Sequence, residues 1–337
     1  MTSLLGSDKP LFTAHDAALV DLDGVAYRGA HAIPSAPAAL QAARDAGMGI
    51  VFVTNNASRE PSAVAAHLTE LGMTTAEHEV LTAAQAVSLM VRDALPAGSP
   101  LYVVGGQGLR TALTDVGMVL VESAQDNPVA VVQGFNPDVS WKELAEASYA
   151  IRQGAQFFAS NMDLTIPNDR GVAPGNGSLV NVVITATGVT PPSAGKPAPA
   201  MFTLAAQQAG ASSPMVIGDR LDTDLKGARA AGFPGLLVLT GVNDGRDAVL
   251  APPDQRPAYI GATMECLAHP HPHPRNIDGV WWVNEAQASV QDGDLTVDGG
   301  TELDRVRAAC VAAWASADAG QPVRVETLPN LGVSFQA

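Results

Sequence analysis

The sequence predicts an α/β protein: a Rossmann-like parallel sheet, interrupted by an inserted α/β segment and followed by a small α+β tail. Three observations lead there. Short apolar runs alternate with Ala-rich helical stretches. Several runs end in a polar tip, as residues 17–20 end in Asp21. The alternation changes character near residue 82 and changes back near residue 191.

Residues 17–20 and 50–53 read as buried strands, the second leading into Thr54, Asn55 and Asn56. Between them 34–46 is Ala-rich, and Gly47 stands where a helix C-cap belongs, so the unit is strand, helix, strand. From 82 to 190 the runs 101–104, 118–121, 129–132 and 156–159 read as strands, with a helix over 141–153 among them. A third block returns to the pattern of the first, with a helix over 197–209, a strand 215–217 running into Gly218 and Asp219, a helix ending near Gly232, and a strand 236–240. Polar strand tips on the first and third blocks imply one shared sheet and one shared site. The expected organisation is a core from 1–81 and 191–262, an insertion over 82–190, a Pro/His linker over 263–277, and a small C-terminal domain over 278–337. That last domain should hold two strand-like segments, a helix over 302–317 and a strand near 323–325.

Composition excludes several function classes. At 337 residues, 47% of them hydrophobic, the chain buries more than one core. Its formal charge of −15 argues against nucleic acid and against an anionic membrane surface as partners. The charge-free run 171–195 is long enough to cross a bilayer but contains Pro174, Pro191 and Pro192, so no span is expected. The first ten residues lack a basic start and an apolar stretch, so the expected location is cytoplasmic. Cys266 and Cys310 are too few for a disulfide framework or a thiolate metal site and read as apolar fillers.

Asp21 and Asp23 form one of three Asp-x-Asp pairs, the others being Asp222/Asp224 and Asp292/Asp294. Position separates them. The first follows an apolar strand and precedes Gly24, so both carboxylates emerge at the carboxyl edge of a sheet, roughly 7 Å apart if extended. A solvated turn is the bland reading of any one pair, and three further segments in order argue against it here. Val-Asp21-Leu-Asp23-Gly-Val is followed by Val-Thr54-Asn55-Asn56, then Gly195-Lys196-Pro197, then Val-Ile-Gly218-Asp219-Arg-Leu-Asp222-Thr-Asp224. Together they resemble the four motifs of the haloacid dehalogenase (HAD) superfamily of phosphatases. The long stretch between Asn55 and Lys196 resembles the NagD-like branch, whose large α/β cap is inserted there.

The resemblance implies a magnesium-dependent phosphatase acting on a small phosphorylated metabolite. Asp21 matches the nucleophile, which would form an aspartyl-phosphate, and Asp23 matches the general acid and base. It also implies a magnesium site of Asp21, the backbone carbonyl of Asp23, and Asp219, with Asp224 orienting metal-bound water and Asp222 left open. An EF-hand calcium loop is the rival for this cluster, but its bidentate Glu is missing. Thr54 and Asn55 match phosphoryl donors, and Lys196 matches the cation that pairs with Asp21 and the phosphate. A metal and a lysine would also reverse the acidic chain's field where an anion must bind.

The segment carrying Asn161, Asp163, Arg170 and Gly175 resembles the cap loop through which this branch covers its substrate. Alternatively, Gly175 and Gly177 only make a turn into a helix and Arg170 faces solvent. The glycines at 105, 106 and 108 lack the third glycine and acidic partner of a dinucleotide fingerprint and read as a plain strand-to-helix turn. His269, His271 and His273 alternate with prolines and read as a stiff linker rather than a metal site. Trp281 and Trp282 read as packing residues.

A HAD-type core followed by a small tail resembles the actinobacterial glycerol 3-phosphate phosphatases, whose C-terminal region is similar to part of an acetyltransferase fold. That likeness implies glycerol 3-phosphate as substrate, with 2-phosphoglycolate, pyridoxal phosphate or a nucleotide monophosphate as rivals. The tail lacks a Gln/Arg-x-x-Gly-x-Gly loop for acetyl-CoA, so no acetyl transfer is expected, and packing, homo-oligomer assembly, partner binding or regulation remains as its role. A binding protein that keeps the fold without turnover is the alternative of another class, against which Asp21, Asp23, Lys196 and Asp219 all stand.

Overall fold

A computed structural model of the chain describes residues 4–168 and 170–333. Its largest sheet has six strands in the order Tyr259–Gly261, Gly235–Val238, Pro214–Gly218, Ala17–Val20, Gly49–Thr54, Val80–Thr82. Ala17–Val20, Pro214–Gly218 and Gly235–Val238 are buried along their whole length, as parallel strands covered on both faces must be. Ala17–Val20 pairs in parallel with Gly49–Thr54 on one side and Pro214–Gly218 on the other. Chain order therefore departs in both directions from this strand, and the crevice beyond its carboxyl end is where such sheets place ligands.

The helix Ala36–Asp45 buries Ala36, Ala39, Leu40 and Ala43, the spacing of one helical face, and Gly47 follows at φ +88°, as expected of a helix stop. No helix among the described residues is long and apolar enough to cross a membrane.

The chain divides into two compact units, one of residues 1–52, 71–73 and 205–337, the other of 53–70 and 74–204. The second thus takes in more than the expected insertion 82–190. It is built on a parallel four-stranded sheet in the order Val119–Val121, Pro100–Val104, Ala130–Gln133, Gln156–Ala159, the four strands anticipated from the sequence. Helix Trp141–Arg152 starts on a capping box, with the Ser140 amide donating to Glu143 Oε2 at 2.8 Å. At the glycine turn, Gly108 donates its amide to the Ser58 carbonyl, and a Cβ there would lie 2.5 Å from the Arg59 carbonyl oxygen. Close backbone approach accounts for these glycines.

The C-terminal segment departs most from expectation. Residues 263–277 are not a free linker: they contain a 3-10 helix, Met264–Ala268, and the strand Arg275–Ile277. That strand opens an antiparallel sheet continued by Val280–Val283, Ala286–Gln291 and Asp294–Asp298. Two of its hairpins turn on Asp278-Gly279 and Asp292-Gly293, all four residues at positive φ, the two-residue turn that matches strand twist. No strand forms near 323–325, where a short 3-10 turn, Val325–Thr327, stands instead. The helix Glu302–Asp318 does not serve a separate satellite core. Its Val306, Ala309, Cys310 and Trp314 share one cluster with Leu225, Leu237, Val249 and Ile260 of the large sheet and its helices. Trp281, expected as a packing residue, lies against the same cluster.

His271 and His273 do not converge. The His271 ring is buried edge-on against Tyr259, whereas His273 Nε2 is 3.2 Å from Asp8 Oδ1.

Candidate active site

The first unit gathers three carboxylates. Val20 pairs with Ile217, and the Asp21 amide continues the ladder by donating to the Ile217 carbonyl at 2.9 Å. Asp21 and Asp219 therefore leave neighbouring strands at the same edge, where parallel strands lie about 4.8 Å apart. Asp224 returns to that edge because the chain after Arg220 winds as a wide turn, Leu221–Leu225, of the π type frequent at functional sites. Each of Asp21, Asp219 and Asp224 offers a carboxylate oxygen, and the three atoms lie within 4.8 Å of one another.

Three glycines make this convergence possible. A Cβ on Gly24, which sits at φ +82°, would lie 2.3 Å from Asp219 Oδ2, and one on Gly241 would lie 1.9 Å from the same atom. A Cβ on Gly218 would lie 2.2 Å from that of Asp224. Two unit charges at this separation repel by about 3 kcal/mol at an effective dielectric near 20, so three carboxylates held together call for a cation. The donor set is hard oxygen on rigid backbone, which fits magnesium.

The arrangement sharpens the expected ligand set. Asp224, assigned from the resemblance to orienting water, stands in the cluster itself. The Asp23 side chain is exposed and is not among these three. Asp222 is turned away: Arg220 Nε and Nη2 grip its two oxygens at 3.1 and 2.9 Å. Partial burial opposes ionisation, but the Arg220 hydrogen bonds and charge hold the Asp222 carboxyl below the usual carboxylate range.

A loop that sequence reading missed fixes Asp219. The Val242 amide donates to Asp219 Oδ2 at 2.7 Å, and the Asn243 amide donates to the Asp219 carbonyl at 3.1 Å. Thr240 Oγ1 donates to the Gly24 carbonyl at 2.6 Å, and Arg28 donates to the Thr240 carbonyl. The one signal available beforehand was that the strand Gly235–Val238 also ends in a short polar and glycine tip, Thr240 to Asn243.

The second unit holds the remaining motif residues. Thr54 is buried, and its Oγ1 accepts the Asn56 amide at 3.1 Å, which orients the hydroxyl. Lys196 is also buried, with Nζ 3.4 Å from the Val53 carbonyl, and Gly195 admits the close approach of Ser160 and Asn161.

The side chain of Asn55, expected to donate to a phosphoryl group, is committed within the second unit. Both Nδ2 donors are spent inside the chain, on Asp163 Oδ2 at 2.9 Å and the Lys196 carbonyl at 3.1 Å, while Oδ1 accepts the Lys196 amide at 2.8 Å. Asn161 completes the clamp: Nδ2 donates to the Asn55 carbonyl at 2.8 Å, and Oδ1 accepts the Asp163 amide at 3.1 Å. Two of the four expected loop residues, Asn161 and Asp163, are thus tied to the motif residues Asn55 and Lys196.

The other two are Gly175 and Arg170. Gly175 caps the helix Asn176–Thr187, and a Cβ there would lie 2.3 Å from the Asp163 carbonyl oxygen, so it serves the turn into the helix. Arg170 is exposed in the turn of the hairpin Thr165–Asn168 and Gly171–Pro174.

With this geometry in hand, comparison with known proteins is specific. Residues 18–119 match the haloacid dehalogenase-like hydrolase family, 193–265 match a HAD-hydrolase-like family, and 285–328 match a GCN5-related N-acetyltransferase-like domain. The chain is 42% identical over 330 residues to a D-glycerol 3-phosphate phosphatase of Mycobacterium tuberculosis, covering 94% of this chain and 92% of that one. A crystal structure of a glycerol phosphate phosphatase from Mycobacterium tuberculosis in complex with magnesium superposes with a TM-score of 0.84 at 40% identity, over 94% of both chains. An acid sugar phosphatase of Staphylococcus aureus is 35% identical over 231 residues, covering 68% of this chain and 88% of its own length.

Proposed function

This chain belongs to the haloacid dehalogenase-like hydrolases, and from that premise we propose that it is a magnesium-dependent phosphatase whose substrate is glycerol 3-phosphate. The convergence of Asp21, Asp219 and Asp224 at the carboxyl edge of the large sheet carries the chemical half of this reading. The likeness to a D-glycerol 3-phosphate phosphatase along nearly the whole chain, tail included, supports the substrate half.

A carboxylate oxygen of Asp21 attacks phosphorus in line, the bond to the glycerol oxygen breaks, and Asp23 gives its proton to the departing alkoxide. Asp23, now a carboxylate, takes a proton from a water that attacks the phosphorus of the aspartyl-phosphate. The acyl-phosphate P–O bond breaks, phosphate leaves and Asp21 is restored. Exposure of Asp23 suits a group that must reach first the leaving group and then water. Magnesium held by Asp21, Asp219, Asp224 and the Asp23 carbonyl would neutralise phosphoryl charge. The motif order assigns Thr54, Asn55 and Lys196 to the phosphoryl oxygens, and the side-chain bonds of Asn55 also position Lys196. Residues 82–190 are the segment assigned to substrate choice. Free Cys266 and Cys310 accord with a cytoplasmic enzyme.

Phosphate release from glycerol 3-phosphate, 2-phosphoglycolate, pyridoxal phosphate and nucleotide monophosphates, with and without magnesium, tests the reading. Glycerol 3-phosphate should give the highest kcat/KM, and a clear preference for another ester would replace the substrate. Asp21→Asn should abolish turnover; activity surviving it would sink the nucleophile assignment.

A further inference from the structure

The acetyltransferase-like tail has no part in the chemistry above, yet a continuous set of contacts joins it to the loop that holds Asp219. Asn243 stands at the junction. Its Oδ1 accepts the Leu221 amide at 2.8 Å, its backbone amide holds the Asp219 carbonyl, and its Nδ2 donates to Asp247 Oδ2 at 2.9 Å. Asp247 lies in the short helix Gly245–Val249, whose N-cap Asp244 accepts the Asp247 amide at 3.0 Å.

The tail grips this helix along its length. Gly245 donates its amide to the Val333 carbonyl at 3.3 Å, Arg246 Nη2 donates to the Val325 carbonyl at 2.9 Å, and Trp314 Nε1 donates to the Ala248 carbonyl at 3.0 Å. The fit at Gly245 is close: a Cβ there would lie 2.5 Å from the Leu331 carbonyl oxygen and 2.7 Å from Val306 Cγ2. The residues between Asp219's partner Val242 and the gripped Gly245 are Asn243 and Asp244 alone.

We propose that the C-terminal segment braces the metal site: it fixes the helix Gly245–Val249, and through Asn243 it sets the position of the Asp219 carboxylate. Asn243 is a positioning residue in this scheme, and the tail preorganises the catalytic core. The inference rests on the reading of Asp21, Asp219 and Asp224 as the magnesium ligands.

Magnesium binding to the full-length protein by titration calorimetry tests it without reference to turnover. Asn243→Ala should weaken magnesium by about tenfold, as loss of a group that orients a ligand does. Gly245→Ala, which forces Leu331 and Val306 away without touching the site, should weaken it severalfold. Ser289→Ala, which removes only a surface hydrogen bond to Thr296 in the same tail, should bind as the parent does. Trp314→Phe keeps most of the ring and removes the bond to Ala248, so it serves should Gly245→Ala fail to fold, and it should also weaken magnesium. Parent-like affinity in folded Asn243→Ala, or in both Gly245→Ala and Trp314→Phe, would overturn the brace. A parent protein that binds no magnesium would instead overturn the metal site itself.

Discussion

Gly218 and Asp224 compete for one volume: a side chain on the first would place its Cβ 2.2 Å from that of the second. The glycine is therefore a condition for Asp224 to reach Asp219 and Asp21. Gly218→Ala should push the Asp224 carboxylate outward while leaving the strand Pro214–Gly218 paired. The expected result is magnesium affinity down about tenfold and turnover down about 10²-fold, the usual cost of displacing a positioned group by an ångström. Calorimetric titration and phosphate release on the same preparation check both.

Asp222 and Asp224 sit two residues apart but have separate fates, and neutralising each in turn distinguishes them. Asp224→Asn removes a charge from the buried cluster and should weaken magnesium by about 10- to 100-fold. Asp222→Asn breaks only a part-exposed pair with Arg220 and should change stability by less than about 1 kcal/mol, with magnesium binding retained. The two apparent magnesium constants, read from activity against metal concentration, should differ accordingly.

Asn55 offers a test of the clamp in the second unit. Asn55→Ala leaves Asp163 Oδ2 and the Lys196 amide without this partner and should cost about 1–3 kcal/mol in stability. Asn55→Asp is closer in shape but should be worse, because it places a second carboxylate where Asp163 now receives a donor 2.9 Å away. Thermal unfolding of the two variants, with kcat measured beside it, should rank Asp below Ala.

The parts of this molecule legible in its sequence are those where one residue type answers one physical need. Continuous apolar runs ending in Asp21, Thr54 and Asp219 read as buried parallel strands with polar tips. Asp224 as a member of the cluster was not legible, because its return depends on a π-type turn and on the absent side chain of Gly218. The Thr240–Asn243 loop escaped notice because its work is done by backbone amides, which every residue carries. In the tail, Asp278-Gly279 and Asp292-Gly293 were passed over in the sequence reading, and the part-polar strands between them hid the sheet. His271 looked like linker because alternating prolines say nothing of burial imposed from outside the segment.

That burial makes His271 a handle on acid stability. Desolvation, and then the Arg307 guanidinium 3.3 Å away, push its imidazole down to about 4 from the usual 6.5. Protonation would set a second cation beside Arg307, which already donates to the Ile260 carbonyl and pairs with Asp304 at 3.1 Å. Between those two values the unfolded chain binds the proton and the folded one does not, so stability falls as pH falls. The contribution is complete above about pH 6.5, has dropped by about 2 kcal/mol at pH 5, and is lost below about pH 4. His271→Gln removes the titrating group, so its unfolding temperature should fall less than the parent's between pH 7 and pH 5. Equal slopes in the two proteins would show that the ring is solvated in solution and that the Ser7–His271 backbone pairing does not hold it in place.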